Sequence, residues 1–396
     1  MDRVYFDNSA TTRVDDRVLD AMRPYFLEKY GNASSLHSFG HEAYDAMEAA
    51  REQVAKAVNA APRDIIFTSG GTESDNLALQ GAAFANASKG KHIITSSVEH
   101  HAVLHTCQFL EAQGFKVTYL PVDSEGFVSE EDLKNALTPE TTLVSIMMAN
   151  NEIGTIQRIK DLAEIAKDKG ALFMTDAVQA LTKIPVDVER LNVDLLTMSA
   201  HKFHGPKGVG ALYVRKGVKL RPIIYGGGHE RGLRSSTENI PGIVGMGKAA
   251  ELGIAEMDES VERMERIRDH LIDGTLSAVP RSYLNGPRGD GRLCNNANFR
   301  FDYIEGEGMV LLLDMQGIAA STGSACSTKS LEPSHVLRSL GLRHEQCHGS
   351  LRLSLSKFNT MEEADRFLEA IPPIIERLRK MSPLGEGVSY DVPAVQ

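Results

Sequence analysis

A lysine, an aspartate and a glycine-rich turn are the groups in this chain best able to do chemistry. Lys202 lies in Ser199-Ala200-His201-Lys202-Phe203-His204-Gly205-Pro206-Lys207-Gly208, directly after the apolar run 193–198. That places it just past the carboxyl end of a strand, where open α/β sheets bind ligands. A desolvated amine held there becomes a nucleophile toward a carbonyl. An arbitrary lysine is a solvated loop residue, and Lys202 alone would be read that way. Asp176 changes the reading, because it closes a second apolar run, 171–175, and a carboxylate at the end of a buried strand is costly unless it meets a cation. Thr68-Ser69-Gly70-Gly71-Thr72-Glu73-Ser74 falls between a strand and a helix, so free backbone amides and the helix dipole converge there on an anion. It lacks both the Gly-Lys-Ser/Thr ending of a nucleotide loop and Gly-x-Gly-x-x-Gly. A single phosphate monoester fits it better; the plainer alternative is a strand-to-helix turn capped by threonine.

A lysine that condenses with an aldehyde, with a carboxylate that keeps a pyridine ring protonated, is the arrangement by which pyridoxal phosphate becomes an electron sink. Cys326 stands in Thr322-Gly323-Ser324-Ala325-Cys326-Ser327-Thr328, small residues that cannot pack a core and suggest an exposed, mobile loop. Cys107, Cys294 and Cys347 are read as buried, inert thiols. His344-Glu345-Gln346-Cys347-His348 satisfies the zinc-protease pattern His-Glu-x-x-His. Gly341 and Gly349 bracket it and leave little room for the sustained helix such a site requires, and no third ligand is evident. A surface turn is expected there, and no metal site.

The elements that must position these groups alternate. Apolar runs at 65–68, 92–95, 116–120, 142–148 and 171–175 read as strands. Between them lie amphipathic stretches such as 73–81, and a helix in which Ile159, Leu162, Ala163 and Ala166 recur at helical spacing before Gly170. Strand, helix and strand in repetition mean an α/β domain with a mostly parallel sheet covered by helices on both faces. After residue 248 the texture changes to a long charged helix at 257–272, then Pro280 and a glycine-rich stretch at 286–291. A smaller α+β unit is expected beyond it, with strands near 298–301 and 352–356 and helices at 307–315 and 361–380. The expected division is a large α/β domain over 15–255 and a small α+β domain formed by 1–14 and 256–396, which carries the Cys326 loop.

The 396 residues include 53 acidic and 43 basic side chains, for a net charge of -10. That balance repels a phosphate backbone, so direct nucleic-acid binding is not expected. No apolar stretch approaches the roughly 20 residues of a membrane span, and the N-terminus has no export signature. Four dispersed cysteines without a Cys-x-x-Cys pair fit a reducing, cytoplasmic setting.

Further motifs stand in order along nearly the whole chain: Tyr5-Phe6-Asp7-Asn8-Ser9-Ala10-Thr11-Thr12, Gly31-Asn32-Ala33-Ser34-Ser35-Leu36-His37, Val98-Glu99-His100, Asn150-Asn151-Glu152-Ile153-Gly154, Asp176-Ala177-Val178-Gln179, Gly226-Gly227-Gly228-His229-Glu230-Arg231, Gly323-Ser324-Ala325-Cys326 and Leu331-Glu332-Pro333-Ser334. With the lysine and phosphate segments they resemble the cysteine desulfurases of the NifS/IscS group, fold-type I pyridoxal phosphate enzymes related to class V aminotransferases. The resemblance implies that Lys202 bonds the cofactor aldehyde, Asp176 holds the pyridine nitrogen, Gln179 the phenolic oxygen, and His100 stacks on the ring and moves protons. It implies a phosphate site of Gly71, Thr72, Ser199 and His201, with Thr237 reaching across from a partner subunit. Asn151 and Arg352 would grip the substrate carboxylate, a role suited to a planar guanidinium fork. The Cys326 thiolate would attack the sulfur of L-cysteine bound as a ketimine, leaving L-alanine and an enzyme persulfide. A cytoplasmic homodimer delivering sulfur to an iron–sulfur scaffold protein, or to other thio-cofactors, is then expected. Two departures are visible: Ala33 replaces a proline in Gly-Asn-Pro-Ser-Ser, and Cys326-Ser327-Thr328 replaces Cys-Thr-Ser. The alternatives are an aminotransferase or selenocysteine lyase of the same fold, and, from another class, a non-catalytic sulfur-relay subunit.

Overall fold

A computed structural model describes residues 3–323 and 333–382; Cys326 and its immediate neighbours lie outside the described residues. The largest element is a seven-stranded sheet of β2 (Ile65–Thr68), β3 (His92–Ser96), β4 (Lys116–Leu120), β5 (Thr141–Ser145), β6 (Leu172–Asp176), β7 (Leu195–Ser199) and β8 (Gly210–Val214), with β1 (Val4–Tyr5) belonging elsewhere. Its order is β2-β8-β7-β6-β5-β3-β4. The strands β4, β3, β5, β6 and β7 pair in parallel, while β8 runs antiparallel to both β7 and β2. Every residue of β2, β3, β5 and β7 is buried, which is why these strands read as continuous apolar runs instead of alternating ones. The edge strand β4 is half exposed and carries Lys116 and Tyr119 outward.

Helices cover both faces. Ile159–Asp168 buries Ile159, Leu162, Ala163 and Ala166, the stripe anticipated from spacing. Gly71–Asn86 runs past Gly81, where the sequence suggested a stop. A Cβ on Gly81 would lie 2.9 Å from the Arg221 carbonyl, so this glycine permits a close approach and does not end the helix. β5 ends at Ser145 and not at Met148. The chain leaves the ladder there, although the amides of Ile146 and Met148 still donate to the carbonyls of Met174 and Asp176.

A second sheet, in the order β12-β10-β9, is antiparallel and built from β9 (Ser282–Leu284), β10 (Asn296–Phe301) and β12 (Ser350–Ser354). The long helices Met257–Ala278 and Met361–Met381 pack on it around Phe299, Phe301, Leu353 and Phe367. The N-terminal β1 pairs in parallel with β11 (Ile318–Ala319) and adds Val4 and Phe6 to the same cluster. The larger sheet has its own clusters, centred on residues such as Phe173, Leu196 and Met246 on one face and Leu77, Val103 and Leu143 on the other.

One expectation is corrected here. The segment His344–His348 is a five-residue α-helix, not a turn. Gln346 closes it with a capping box on Arg343 and Cys347 is buried beneath it, so local capping supplies the stability that its length does not. Among the described residues no helix is long and apolar enough to cross a membrane.

Candidate active site

The carboxyl ends of β6 and β7 are adjacent in register, Asp176 lying opposite Thr197. Beyond them opens a cavity of about 340 Å³ lined by Gly71, Thr72, His100, Asn151, Asp176, Gln179, Ser199, His201, Lys202 and Arg352, together with Ser9, Ala10, Asp75, Met147, Val178 and Gly323. Among the described residues it therefore gathers every anticipated site residue except Thr237; Cys326 lies outside the described residues. Thr237 is exposed and lies outside this cavity. Its neighbour Glu238 instead lines a separate groove with Ser34, Tyr44 and Gly227.

Lys202 follows β7 in a single 3-10 turn, Ala200–Lys202, which aims its amine back toward the N-terminal segment. Its Nζ donates to the carbonyl oxygens of Ser9 at 2.5 Å and Ala10 at 2.9 Å. Asp176 is buried, and its Oδ1 accepts from the Val178 amide at 2.8 Å. Burial pushes its carboxyl above the ordinary range, while the Val178 amide and the Lys202 charge act the other way. A second acid, Asp75, projects from the helix Gly71–Asn86 and is equally buried. Burial, then the charge of Asp176, then that of Glu99 raise it well above the usual range.

The helix Gly71–Asn86 begins with no side-chain cap, so its leading amides keep unused donors. Gly71 is required on steric grounds, because a Cβ there would lie 2.9 Å from Val178 Cγ2 and 3.6 Å from Ser199 Cβ. His201 places Nδ1 3.1 Å from the Thr11 hydroxyl. Burial first, then the charge of Lys202, lower its imidazole to about 4, so it is neutral at pH 7. His100 caps the helix His101–Ala112, its Nδ1 accepting from the Ala102 amide at 3.1 Å. Burial and Lys202 likewise lower His100 to about 4. A neutral ring whose Nδ1 accepts must carry its hydrogen on Nε2, so in this state His100 offers a donor.

Opposite the amine stands Arg352, on β12 of the smaller sheet and buried. Its Nη2 pairs with Asp7 Oδ1 at 2.8 Å, and its Nη1 donates to the carbonyls of Asn151 at 3.0 Å and Gly323 at 3.3 Å. Its Nε, together with Asp75 Oδ1 and Gln179 Oε1, is buried without a hydrogen-bond partner among the described residues. Gln179 uses its Nε2 on the Ser9 carbonyl at 3.0 Å. The donor set fits pyridoxal phosphate: uncapped amides with Ser199 and His201 for the phosphate, a buried acid for the ring nitrogen, and a lysine amine for the aldehyde. Sequence reasoning assigned nothing to Ser9, Ala10, Asp75 or Asp7. The first two act through backbone carbonyls, which no side-chain pattern reveals, but Asp7 stands within a motif already singled out and Asp75 directly follows the glycine-turn segment.

Residues 4–367 match the family described as Aminotransferase class-V. A cysteine desulfurase IscS of Methanosarcina thermophila is 58% identical over 381 residues, covering 96% of this chain and 94% of that one. A cysteine desulfurase IscS of Clostridium botulinum is 58% identical over 385 residues, 97% of each. Among solved structures, a NifS-like protein superposes with a TM-score of 0.90 at 46% identity, covering 95% of this chain and all of that one. SspA in complex with cysteine gives 0.80 at 37%, covering 90% and 100%. The chain belongs to the class V aminotransferase family of pyridoxal phosphate enzymes. Within that family it falls in the NifS/IscS group of cysteine desulfurases.

Proposed function

We propose that the protein converts L-cysteine to L-alanine and passes the released sulfur onward as a persulfide on Cys326. The observation that carries this reading is the convergence of Lys202, Asp176 and Arg352 on one cavity of about 340 Å³. An amine, an acid for a ring nitrogen and a carboxylate-binding fork are what an amino-acid substrate and this cofactor need together. When bound, pyridoxal phosphate supplies an electron sink for the bonds around the substrate's α-carbon.

The chain's own residues do the rest. Gly71, Thr72, Ser199 and His201 hold the phosphate, and Asp176 keeps the ring nitrogen protonated. Gln179 donates its second N–H toward the phenolic oxygen, and His100 covers the ring with its Nε2 hydrogen available. Asn151 and Arg352 orient the substrate carboxylate. Lys202, its amine already drawn toward the cavity by Ser9 and Ala10, takes and returns the proton at the substrate. The Cys326 thiolate would form an S–S bond to the substrate sulfur as the substrate's C–S bond breaks; the C–S electron pair stays with the substrate carbon, which takes a proton to become the methyl group of alanine.

A homodimer is supported by unpartnered apolar surface. Phe26, Leu27, Tyr30, Leu36 and Phe39 are all substantially exposed within one short stretch of chain, the Tyr30 and Phe39 rings 5.7 Å apart, and exposed apolar patches mark interaction surfaces. The groove containing Glu238 lies beside this surface, so Thr237 is available to a second copy's phosphate site. The three described cysteines are unpaired, which agrees with a cytoplasmic setting. The resemblance to the NifS/IscS group favours an iron–sulfur scaffold protein as acceptor. The separate clusters of the two sheets support a large domain at 15–255 and a small one made of 1–14 and 256–396.

The test is to supply L-cysteine and measure alanine and sulfide together. Equal amounts of alanine and reducible sulfur are expected, and Cys326→Ala should abolish both while leaving cofactor absorbance in place. Transamination without sulfide would favour an aminotransferase. Protein that never acquires the cofactor band would favour a relay subunit.

A further inference from the structure

Lys183 is a buried amine that the reaction above does not use. It stands at the end of the turn that follows β6, next to Thr182, whose φ of 65° is forced into the left-handed region. A Cβ on Gly253 would lie 2.4 Å from Thr182 Cγ2, so the helix Ile240–Ala255 packs closely against this turn. The Lys183 Nζ donates to the carbonyl of Gln179 at 3.1 Å and to that of Lys202 at 3.2 Å. One ammonium therefore bridges the two turns that carry the phenol-binding amide and the cofactor lysine. No salt bridge joins it to a carboxylate among the described residues. A neutral amide could supply two such hydrogen bonds at less desolvation cost, so the retained charge calls for a reason.

That charge reaches the site, because it is among the causes that hold the imidazoles of His201 and His204 low. Resting on the reading that Lys202 bonds the cofactor, we propose that Lys183 is a positioning residue: it locks the Gln179 turn to the Lys202 turn, and its charge disfavours a second positive charge on the Lys202 nitrogen. The other charged or titratable groups lining the cavity with that nitrogen are Asp75, Asp176, His100, His201 and Arg352, the last paired with Asp7. Asp176 favours the charge, while His100 and His201 are neutral near pH 7. Around Lys183 itself, Lys357 shares the neighbouring cavity but is paired with Asp15 and Glu256, His204 is neutral, and the Cys294 thiol is pushed up to about 12 by burial, so it stays protonated. Lys183 is thus a cation that opposes Asp176 across the Lys202 turn, in addition to Lys207 and Arg352. Burial brings its own value down to about 8, leaving it largely charged at neutral pH.

The test uses full-length Lys183→Gln and Lys183→Met, reconstituted with pyridoxal phosphate, and follows the absorbance of the Lys202–cofactor linkage against pH. Both variants should shift the titration midpoint upward by about one pH unit, the scale of a like charge removed at interior distance. Lys183→Gln should keep cofactor affinity within a few-fold, and Lys183→Met should lose about tenfold as the two turns separate. A lower melting temperature with an unmoved midpoint in Lys183→Gln would overturn the proposal, whether or not Lys183→Met folds. A wild type that forms no such band would overturn the functional reading and this inference with it. A wild-type band with an unmoved variant midpoint overturns only the inference.

Discussion

On one side of the cavity the functional groups project from neighbouring strand ends of a single sheet; on the other, one guanidinium reaches in from a separate three-stranded sheet. Asp176 and Ser199 close β6 and β7, Lys202 follows within a turn, and the uncapped helix after β2 completes the phosphate site. These positions follow from consecutive short segments, each reaching the site by the rule that parallel sheets present ligands at their carboxyl ends. Arg352 has no such local guide. It comes to the cavity because β12 pairs with β10, and it is steadied by Asp7 from the far end of the sequence and by carbonyls of Asn151 and Gly323. The cofactor side is a property of one scaffold, and the carboxylate side is a property of how three distant segments pack.

Removing Lys202 should separate the two sides most sharply. Lys202→Ala is expected to lower turnover by at least about 10³-fold, the scale of losing a principal catalytic group, and to abolish the cofactor absorbance while L-cysteine still binds through Arg352. Retained absorbance at wild-type strength would move the linkage elsewhere. Arg352→Ala should do the converse. kcat/KM for L-cysteine is expected to fall about 10²-fold, mostly through KM, as a charge-assisted carboxylate pair is lost, with the cofactor spectrum unchanged. A spectrum that changed as much as KM would mean that the sides are not independent.

A third prediction probes the cofactor side through pH. Glu99, behind His100, is fully buried, and burial raises it to about 8 despite bonds from Ser96 and the Met147 amide. Its folded value lies above its unfolded value, so the folded state binds the proton more tightly. This contribution to stability is complete below the ordinary glutamate range and is lost as pH rises toward about 8. Glu99→Gln should therefore melt increasingly higher than wild type between pH 5 and 8, by up to about 1.4 kcal/mol per pH unit. A difference independent of pH would mean that Glu99 stays ionised. The smallest effect concerns backbone approach. A Cβ on Gly210 would lie 2.7 Å from Gly70 Cα, so Gly210→Ala should cost about 1–3 kcal/mol. It should also weaken cofactor binding in dialysis without altering the KM of the loaded enzyme.

Legibility followed the same division. Lys202, Asp176 and the glycine turn were visible because each ends an apolar run that must be a buried strand. Arg352 was assigned only through the family resemblance, since nothing in its own neighbourhood marks it from other arginines. Expected ends are displaced at several points: the charged helix runs to Ala278 and the last strand spans Ser350–Ser354, while those at Gly81 and Met148 move because close packing against Arg221 and departure from the ladder are decided by neighbours far along the chain. The five-residue helix at His344 was missed because a glycine on each side says where a helix must stop but not that capping can sustain one between.

Composition, hydrophobic period and motif order by themselves determined the α/β sheet, the strand ends that carry chemistry and the family, because each is written in contiguous residues. Tertiary structure alone decided that Ser9 and Ala10 carbonyls hold the Lys202 amine, that Asp7 pairs with Arg352, and that Lys183 bridges two turns of the site. Hydrogen bonds to backbone carbonyls and pairs between distant segments leave no spacing to read, since their geometry exists only once both cores have packed.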